Sequence, residues 1–578
     1  MNGSSVTRTY ALVLVAGLGL GACGGGGGGG GGTTPPPSGS VTVSGSITFD
    51  RPSYAANNTL SFTNLERKPI RGATVEILRA SDQSVLASTA SSASGSYSAT
   101  VANTPIVVRV KAQLQRAGAG GYDFEVRNNT SGNALYSLAS GTVTPSGSTV
   151  RVDLNAPTGW GGTSYTGARA AAPFAILDTL WEATEVLQAA EPGLTMPALE
   201  LYWSSLNSAA ECVDGQPDPT SGAIGTTFYV NGTIDASANC PSTPPGIYVL
   251  GDANGTFNDD ADEFDSSVIA HELGHYFQDA FSRDDSMGGP HFLDAYHDPA
   301  LSFSEGWGNA FQGFVLDDNW YRDTFGASGN FAFAFDMENN TAPYTVLNGF
   351  YAEASIHEFL WDVYDGAGDD SISLGYGAIH EVMRNEIVAT DALTSVFSFS
   401  SALETRNATQ QAAIRSRLAS EGIVGVGDFA AGQTLPGDTD LVPVFVPVTF
   451  GVPVTITSTS RFADPEDDVY QAYNRLGSHR FLKIDLPTGG GLRISAQGPP
   501  GSDPDFQLLK DGIDQCGGAP ACSGFDDSIA NGLEEAVYSG LPAGTYVLDV
   551  AECSYLGSSC REPVFGTNTN ITITVTQQ

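Results

Sequence analysis

Positive charge is what this chain has least of. Its 578 residues hold 25 lysines and arginines against 64 aspartates and glutamates, a formal net charge of −39. So few cations cannot neutralise a phosphate backbone, which excludes nucleic acid and makes anionic lipid headgroups poor partners for the folded surface. The acidic residues are dispersed, and no run is long enough to form an acidic tail. Cysteine is scarce as well, with seven in the chain, and no C-x-x-C pair occurs among them, which argues against a zinc ribbon. The apolar run Tyr10–Leu20 is too short to span a bilayer as a mature helix. Apolar content is an ordinary 41%, so large cores can form, and the length implies two to four domains.

The N-terminus reads as an address. Arg8 precedes the apolar run, and "LGAC" closes it at Leu20–Cys23. That pattern resembles the bacterial lipobox, which implies a signal peptide over 1–22, cleavage before Cys23, and lipid on the sulfur and new amino group of Cys23. The plainer alternative is a secretory signal with a chance cysteine. Gly24 follows Cys23 where an aspartate would favour retention at the inner membrane, so the resemblance implies the outer membrane, on either its periplasmic or its surface face. Nine glycines (24–32) and "TTPPPSGS" complete a tether over 23–40, a coil spanning roughly 20–25 Å on average. Six cysteines remain, an even number that reads as disulfides in an exported chain. Each lies near one neighbour, giving Cys212–Cys240, Cys516–Cys522 and Cys553–Cys560 as the expected bridges.

Residues 41–155 alternate apolar and polar side chains in "GATVEIL" and "PIVVRVKA", with small turn residues between, and contain no tryptophan, histidine or cysteine. The stretch is similar to the carboxypeptidase-regulatory-like β-sandwich, a family of non-catalytic spacers and binding modules. Residues 160–430 change character: all six tryptophans and six of the seven histidines lie here. Helical spacing is expected at 172–190, 303–315, 351–364 and 391–421, with strands at "ALELYW" and "GIYVL". Residues 440–578 return to strands separated by Gly, Pro and Asp. Their "LPAGTYVLDV" resembles the pre-peptidase C-terminal domain, a β-sandwich appended to exported bacterial proteases. The expected architecture is therefore multidomain, an α+β domain over 160–430 flanked by two all-β sandwich domains.

The chemistry concentrates at "VIAHELGHYF". Asp265, Ser266 and Ser267 form a capping cluster ahead of it. In a helix, His271 and His275 stand one turn apart on one face, where two imidazoles can point at one metal. Glu272 lies beside that face, placed to take a proton from a water in the open coordination position. This resembles the H-E-x-x-H motif of zincins, which implies that the α+β domain is a zincin-like catalytic domain, and chance occurrence in a chain with so few histidines is of the order of a percent or less. Gln278 and Phe281 stand where metzincins carry glycine and histidine, which excludes that class.

"LSFSEGWGNAF" (301–311) resembles the helix that brings the third ligand in gluzincins, the thermolysin-like class. The resemblance implies His271, His275 and Glu305 as zinc ligands and Glu272 as catalytic base. His291, His297 and Asp294 remain alternatives to Glu305. Thermolysin-like enzymes carry an aspartate at the position of Asn309, whose carbonyl oxygen can accept the same N–H bond without charge. An oxyanion donor is also required, and Tyr351 and His291 are the candidates, ahead of Tyr296 and His357. "DMEN" (336–339) lies downstream of the motif and lacks the leading glycine of the aminopeptidase G-x-M-E-N signature, so an endopeptidase is favoured. The loop before the motif offers Asp259, Asp260, Asp262 and Asp265 to Ca²⁺, or to solvent.

The combined reading is an exported, lipid-anchored, zinc-dependent peptidase acting on protein or peptide, with the strand near "GIYVL" offering main-chain hydrogen bonds to substrate. A surface adhesin that binds through its β-sandwiches, or a zinc hydrolase of a non-peptide substrate, are the alternatives. Oligomeric state is not readable. Cells grown with radioactive fatty acid should label the protein through Cys23; an unlabelled protein would remove the lipid anchor from this reading.

Overall fold

The structure is a computed structural model. It describes residues 39–578 except 214, 254–258, 327–328, 344, 367–370, 464–471, 517–521, 529–530 and 557–563, and of 522–528 it describes the backbone alone. Cys23, the signal peptide 1–22 and the tether up to residue 38 lie outside the described residues, as does Cys560. Among the described residues no helix is long and apolar enough to cross a membrane.

The chain is multidomain and rich in β-structure. The strand Ser40–Tyr54 shows how its pattern works: Val41, Val43, Ile47 and Phe49 alternate inward and are buried, while the residues between them face outward. It is the centre of a five-stranded sheet, with Ser96–Ala102 and Leu60–Pro69 antiparallel to it and two short parallel strands, Thr149–Arg151 and Leu154–Ala156. The second sheet has nine strands and crosses the boundary expected at 155–160. Strand Leu199–Trp203 pairs in parallel with Tyr122–Asn128, and Gly246–Val249 and then Phe228–Val230 extend the same sheet. Hydrophobic periodicity marks each strand but not its neighbours, so the sequence could not show this continuity. Strand Gly246–Val249, the "GIYVL" segment, is paired on both sides. The edge nearest the H-E-x-x-H helix is Phe228–Val230, so the expected open strand is displaced by one position.

Seven helices are described. α1 (Ala172–Ala190) matches its periodicity and packs under the nine-stranded sheet. α2 (Ser266–Phe281) carries the motif. α3 (Pro299–Leu316) begins four residues earlier than the apolar pattern indicates, because Asp298 accepts from the Ala300 N–H at 2.9 Å and Pro299 suits the first turn. α3 is buried along almost its whole length. Phe303, Trp307 and Phe311 are each 0% exposed, and burial of each such ring contributes roughly 1.5–3 kcal/mol. α4 (Glu353–Tyr364) and α5 (Gly375–Asn385) follow. The single helix expected over 391–421 is two, α6 (Val396–Arg406) and α7 (Gln411–Ser420). Ser395 and Ser398 form a capping box that starts α6, and the Asn407 side chain donates to Leu403 O at 2.8 Å where α6 ends.

The C-terminal region is a pair of five-stranded sheets enclosing their own core of Leu482, Ile494, Leu548 and Ile573. It is not a loosely tethered appendage. Asn474 Nδ2 donates to Gly288 O (3.2 Å) and Pro290 O (3.0 Å), Leu476 N–H donates to Tyr296 O (2.9 Å), and Asp298 N–H donates to Asn474 O (2.9 Å). Buried Arg475 donates to Pro290 O at 3.0 Å and lies 3.1 Å from His297 Nδ1. This segment holds the 288–298 loop from behind.

The expected bridge Cys212–Cys240 is present. Cys516 and Cys553 are each disulfide-bonded; their expected partners, the Cys522 side chain and Cys560, lie outside the described residues.

Arg475→Ala should lower the melting temperature and open the 288–298 loop to limited proteolysis, since each buried group left without a partner costs about 1–3 kcal/mol. An unchanged cleavage pattern would show that the loop holds itself.

Candidate metal centre

α2 and α3 cross so closely that no side chain fits between them at one point. A Cβ on Gly274 would lie 3.1 Å from the Gly308 Cα, and a Cβ on Gly308 would lie 2.7 Å from the His271 ring. The Trp307 indole N–H donates to Gly274 O at 3.0 Å across the same crossing. This approach brings one face of each helix together, and His271, His275 and Glu305 meet there. His271 Nε2 and His275 Nε2 are 3.1 Å apart, and Glu305 Oε2 lies 3.2 Å from the first and 3.3 Å from the second. The three form a group able to hold a metal ion, with one ligand atom each.

The partners behind the imidazoles decide their tautomers. Asn309 Nδ2 donates to Glu353 Oε2 at 3.5 Å, so its Oδ1 faces His271 and accepts from Nδ1–H at 3.0 Å. His275 Nδ1 lies 3.2 Å from Gln278 Oε1, an acceptor only, and must carry its proton there. Both Nε2 lone pairs therefore face the Glu305 carboxylate. Ser304 supports His275 as well, with its hydroxyl 3.4 Å from Nδ1, and it donates to Asp284 at 2.8 Å.

Without a cation, protons take its place. Burial works to lower His275, but the Glu305 carboxylate outweighs it and pushes the imidazole up to about 10. Burial works to raise Glu305, but His291 and His275 hold it well below the usual carboxylate range. A metal entering this site displaces those protons.

Glu272 stands beside the trio in the wall of a cavity of about 330 Å³. Its Oε2 accepts from the Tyr229 N–H, on the edge strand, at 2.7 Å. Burial raises its pKa, and the nearby His271 and His275 oppose this only in part. His291 enters the same cavity on the loop held by Arg475: its Nε2 lies 3.2 Å from Glu305 Oε2 and its Nδ1 3.1 Å from Glu353 Oε2. Burial lowers it, but Glu305 and Glu353 raise it to about 9.

The remaining candidates lie elsewhere. Tyr351 does not line the cavity; its ring stacks on Tyr296 at 4.8 Å. His297 is locked between Arg475 and the Phe292 backbone, and burial lowers it to about 4. His357 bonds Asn340 and stacks on Phe335. Asp294 is exposed on the loop. The cavity's tyrosine is Tyr321, its ring 6.2 Å from that of His271 and stacked on Phe335 at 4.8 Å. Sequence reading missed Tyr321, Glu353 and Asp284, since each arrives from a segment with no periodic tie to the motif.

Of the four acidic residues assigned to calcium, only Asp260 and Asp262 belong to a metal-capable group, and the third member is Asp323. Asp265 is already satisfied. It accepts from Thr324 N–H (2.9 Å), Thr324 Oγ1 (2.8 Å) and Tyr54 OH (3.2 Å), so it ties the start of α2 to the strand Trp320–Phe325 instead of capping the helix with its side chain. Asp259 contributes a backbone carbonyl to Gly326 N–H at 2.7 Å. A larger cavity, about 650 Å³, lies around Tyr165, Arg169 and Trp203. Its guanidinium is paired with Glu263, and it holds neither metal-capable group.

No protein-family model and no curated protein matches the chain. Among solved structures it shows weak likeness to the pre-peptidase C-terminal domain of a collagenase from Bacillus anthracis, at 11% identity and TM-score 0.15, covering 22% of this chain and 92% of that one. A periplasmic inhibitor of g-type lysozyme from Aeromonas hydrophila is similar at 15% identity and TM-score 0.15, covering 23% and 96%. A surface-associated copper-binding protein of Methylomicrobium album stands at 8% identity and TM-score 0.15, covering 23% and 99%. Scores at this level carry no argument about fold or activity.

Asn309→Ala removes the acceptor that orients His271 and should weaken metal affinity about 10–100-fold. Competition against a chromophoric chelator measures it, and an unchanged affinity would show that the ring needs no such partner.

Proposed function

We propose that the protein is an exported, lipid-anchored, zinc-dependent peptidase. One observation carries the reading: two imidazole lone pairs and a carboxylate oxygen converge at 3.1–3.3 Å beside a buried glutamate in a cavity wall. Tetrahedral zinc with bonds of about 2.0–2.1 Å separates its ligand atoms by about 3.3–3.4 Å, and two histidines with one glutamate leave the fourth position open. His271, His275 and Glu305 would hold the ion.

Zinc bound there supplies Lewis acidity for the scissile carbonyl and for the attacking water. Glu272 accepts the proton that the water loses and delivers it to the leaving amine. His291, oriented by Glu353, and Tyr321 are the donors placed to meet a developing oxyanion. The edge strand Phe228–Val230 offers its backbone to an extended peptide, and the Tyr229 N–H holds Glu272 in place beside it. Lipid on Cys23 would keep the enzyme at the bacterial outer membrane.

Glu272→Gln should retain zinc and lose about 10²–10⁴-fold in kcat on casein or mixed peptides. Equal zinc in both proteins with no peptide cleavage by wild type would contradict a peptide substrate. Cleavage surviving in the variant would remove Glu272 from the chemistry.

A further inference from the structure

The cavity has a second cluster in its wall. Asp260 forms an isolated antiparallel bridge with Phe325, two residues along the strand from Asp323, and Asp262 opens the short 3-10 helix Asp262–Phe264 that follows. All three aspartates line the cavity, and each offers an oxygen within 4.8 Å of the others. Like charges this close repel each other, and burial makes this worse. Asp262 is 2% exposed. One of its oxygens accepts from the Thr227 hydroxyl; the other, Oδ1, is buried without a donor among the described residues, as is Asp323 Oδ1, and Asp262 meets the Asp260 carboxyl instead. The guanidiniums on the neighbouring segments are engaged elsewhere, Arg51 with Phe264 O, Arg169 with Glu263 and Arg322 with Asp318. Buried carboxylate oxygens in native proteins are paired or bind metal.

We propose that Asp260, Asp262 and Asp323 bind a hard divalent cation of the calcium class in the wall of the catalytic cavity. Three carboxylates, with no nitrogen or sulfur donor among them, select such an ion over zinc, and calcium accepts the irregular 6–8-oxygen shell that water completes. Protons are the competing occupant: burial raises Asp262 and Asp323 well above the ordinary carboxylate range. The ion would clip the segment before α2 to the strand Trp320–Phe325. That strand carries Tyr321 two residues from the ligand Asp323, so the clip fixes the wall facing His271. The site does not depend on the peptidase reading.

The test uses the whole protein, stripped with EGTA and titrated with calcium, beside Asp323→Asn and Asp262→Asn, with zinc content measured on each. Wild type should gain several degrees in melting temperature on adding calcium. Each variant should bind one calcium fewer per chain and lose that gain. In EGTA the variants should melt at or above wild type, since they relieve carboxylate repulsion, and their zinc should be unchanged. Asp260→Asn, at the more exposed ligand, serves if the buried substitutions do not fold. A calcium-dependent gain that is equal in wild type and variants, or no gain in wild type at millimolar calcium, would overturn the site.

Discussion

Two imidazole nitrogens and a carboxylate oxygen, all electron-rich and all within 3.3 Å, are brought together by two helices in close contact. Left to themselves these atoms would separate or take up protons, and the Glu305 carboxylate accordingly pushes the His275 imidazole up to about 10. The fold does not relieve this crowding. Gly274 and Gly308 let α2 and α3 touch, Trp307 bonds across the crossing, and Asn309 and Gln278 each occupy an imidazole Nδ1 so that Nε2 must face inward. A buried arrangement that is costly in the bare chain, and supported from every side, is what a metal centre requires.

The β-structure on either side serves this centre directly. The nine-stranded sheet runs from the N-terminal strands to the edge strand Phe228–Val230, whose backbone holds Glu272. From the other side, Asn474 and Arg475 pin the loop that presents His291. Neither region is a passive spacer: the cavity is lined by residues from Thr226 to Glu353, and one of its loops is braced from as far along the chain as Asn474.

How far the site could be read in advance follows from how each residue reaches it. His271, Glu272 and His275 share one helix, where a spacing of four fixes their common face, so a motif sufficed. Glu305 and Asn309 could be found because they sit four apart on the next helix, in an apolar setting. Tyr321 and Asp323 come from a two-stranded sheet whose approach to α2 depends on Asp265 bonding Thr324. No local pattern encodes that contact, which is why the acidic loop was read with Asp265 as a ligand and without Asp323. The sheet's continuity past residue 160 was hidden for the same reason: pairing partners are tertiary, while alternation is local. The break between α6 and α7 did have a local signal, in Asn407 and the residues after it, which compete with the helical backbone.

The most direct test of the metal centre is anomalous diffraction at the zinc absorption edge from crystals of the protein grown without added metal. The account predicts one strong peak about 2.0–2.1 Å from His271 Nε2, His275 Nε2 and a Glu305 oxygen, with the fourth position filled by solvent. A folded protein with no peak between α2 and α3, or a peak bound by His291 as a fourth protein ligand with no open position, would contradict it.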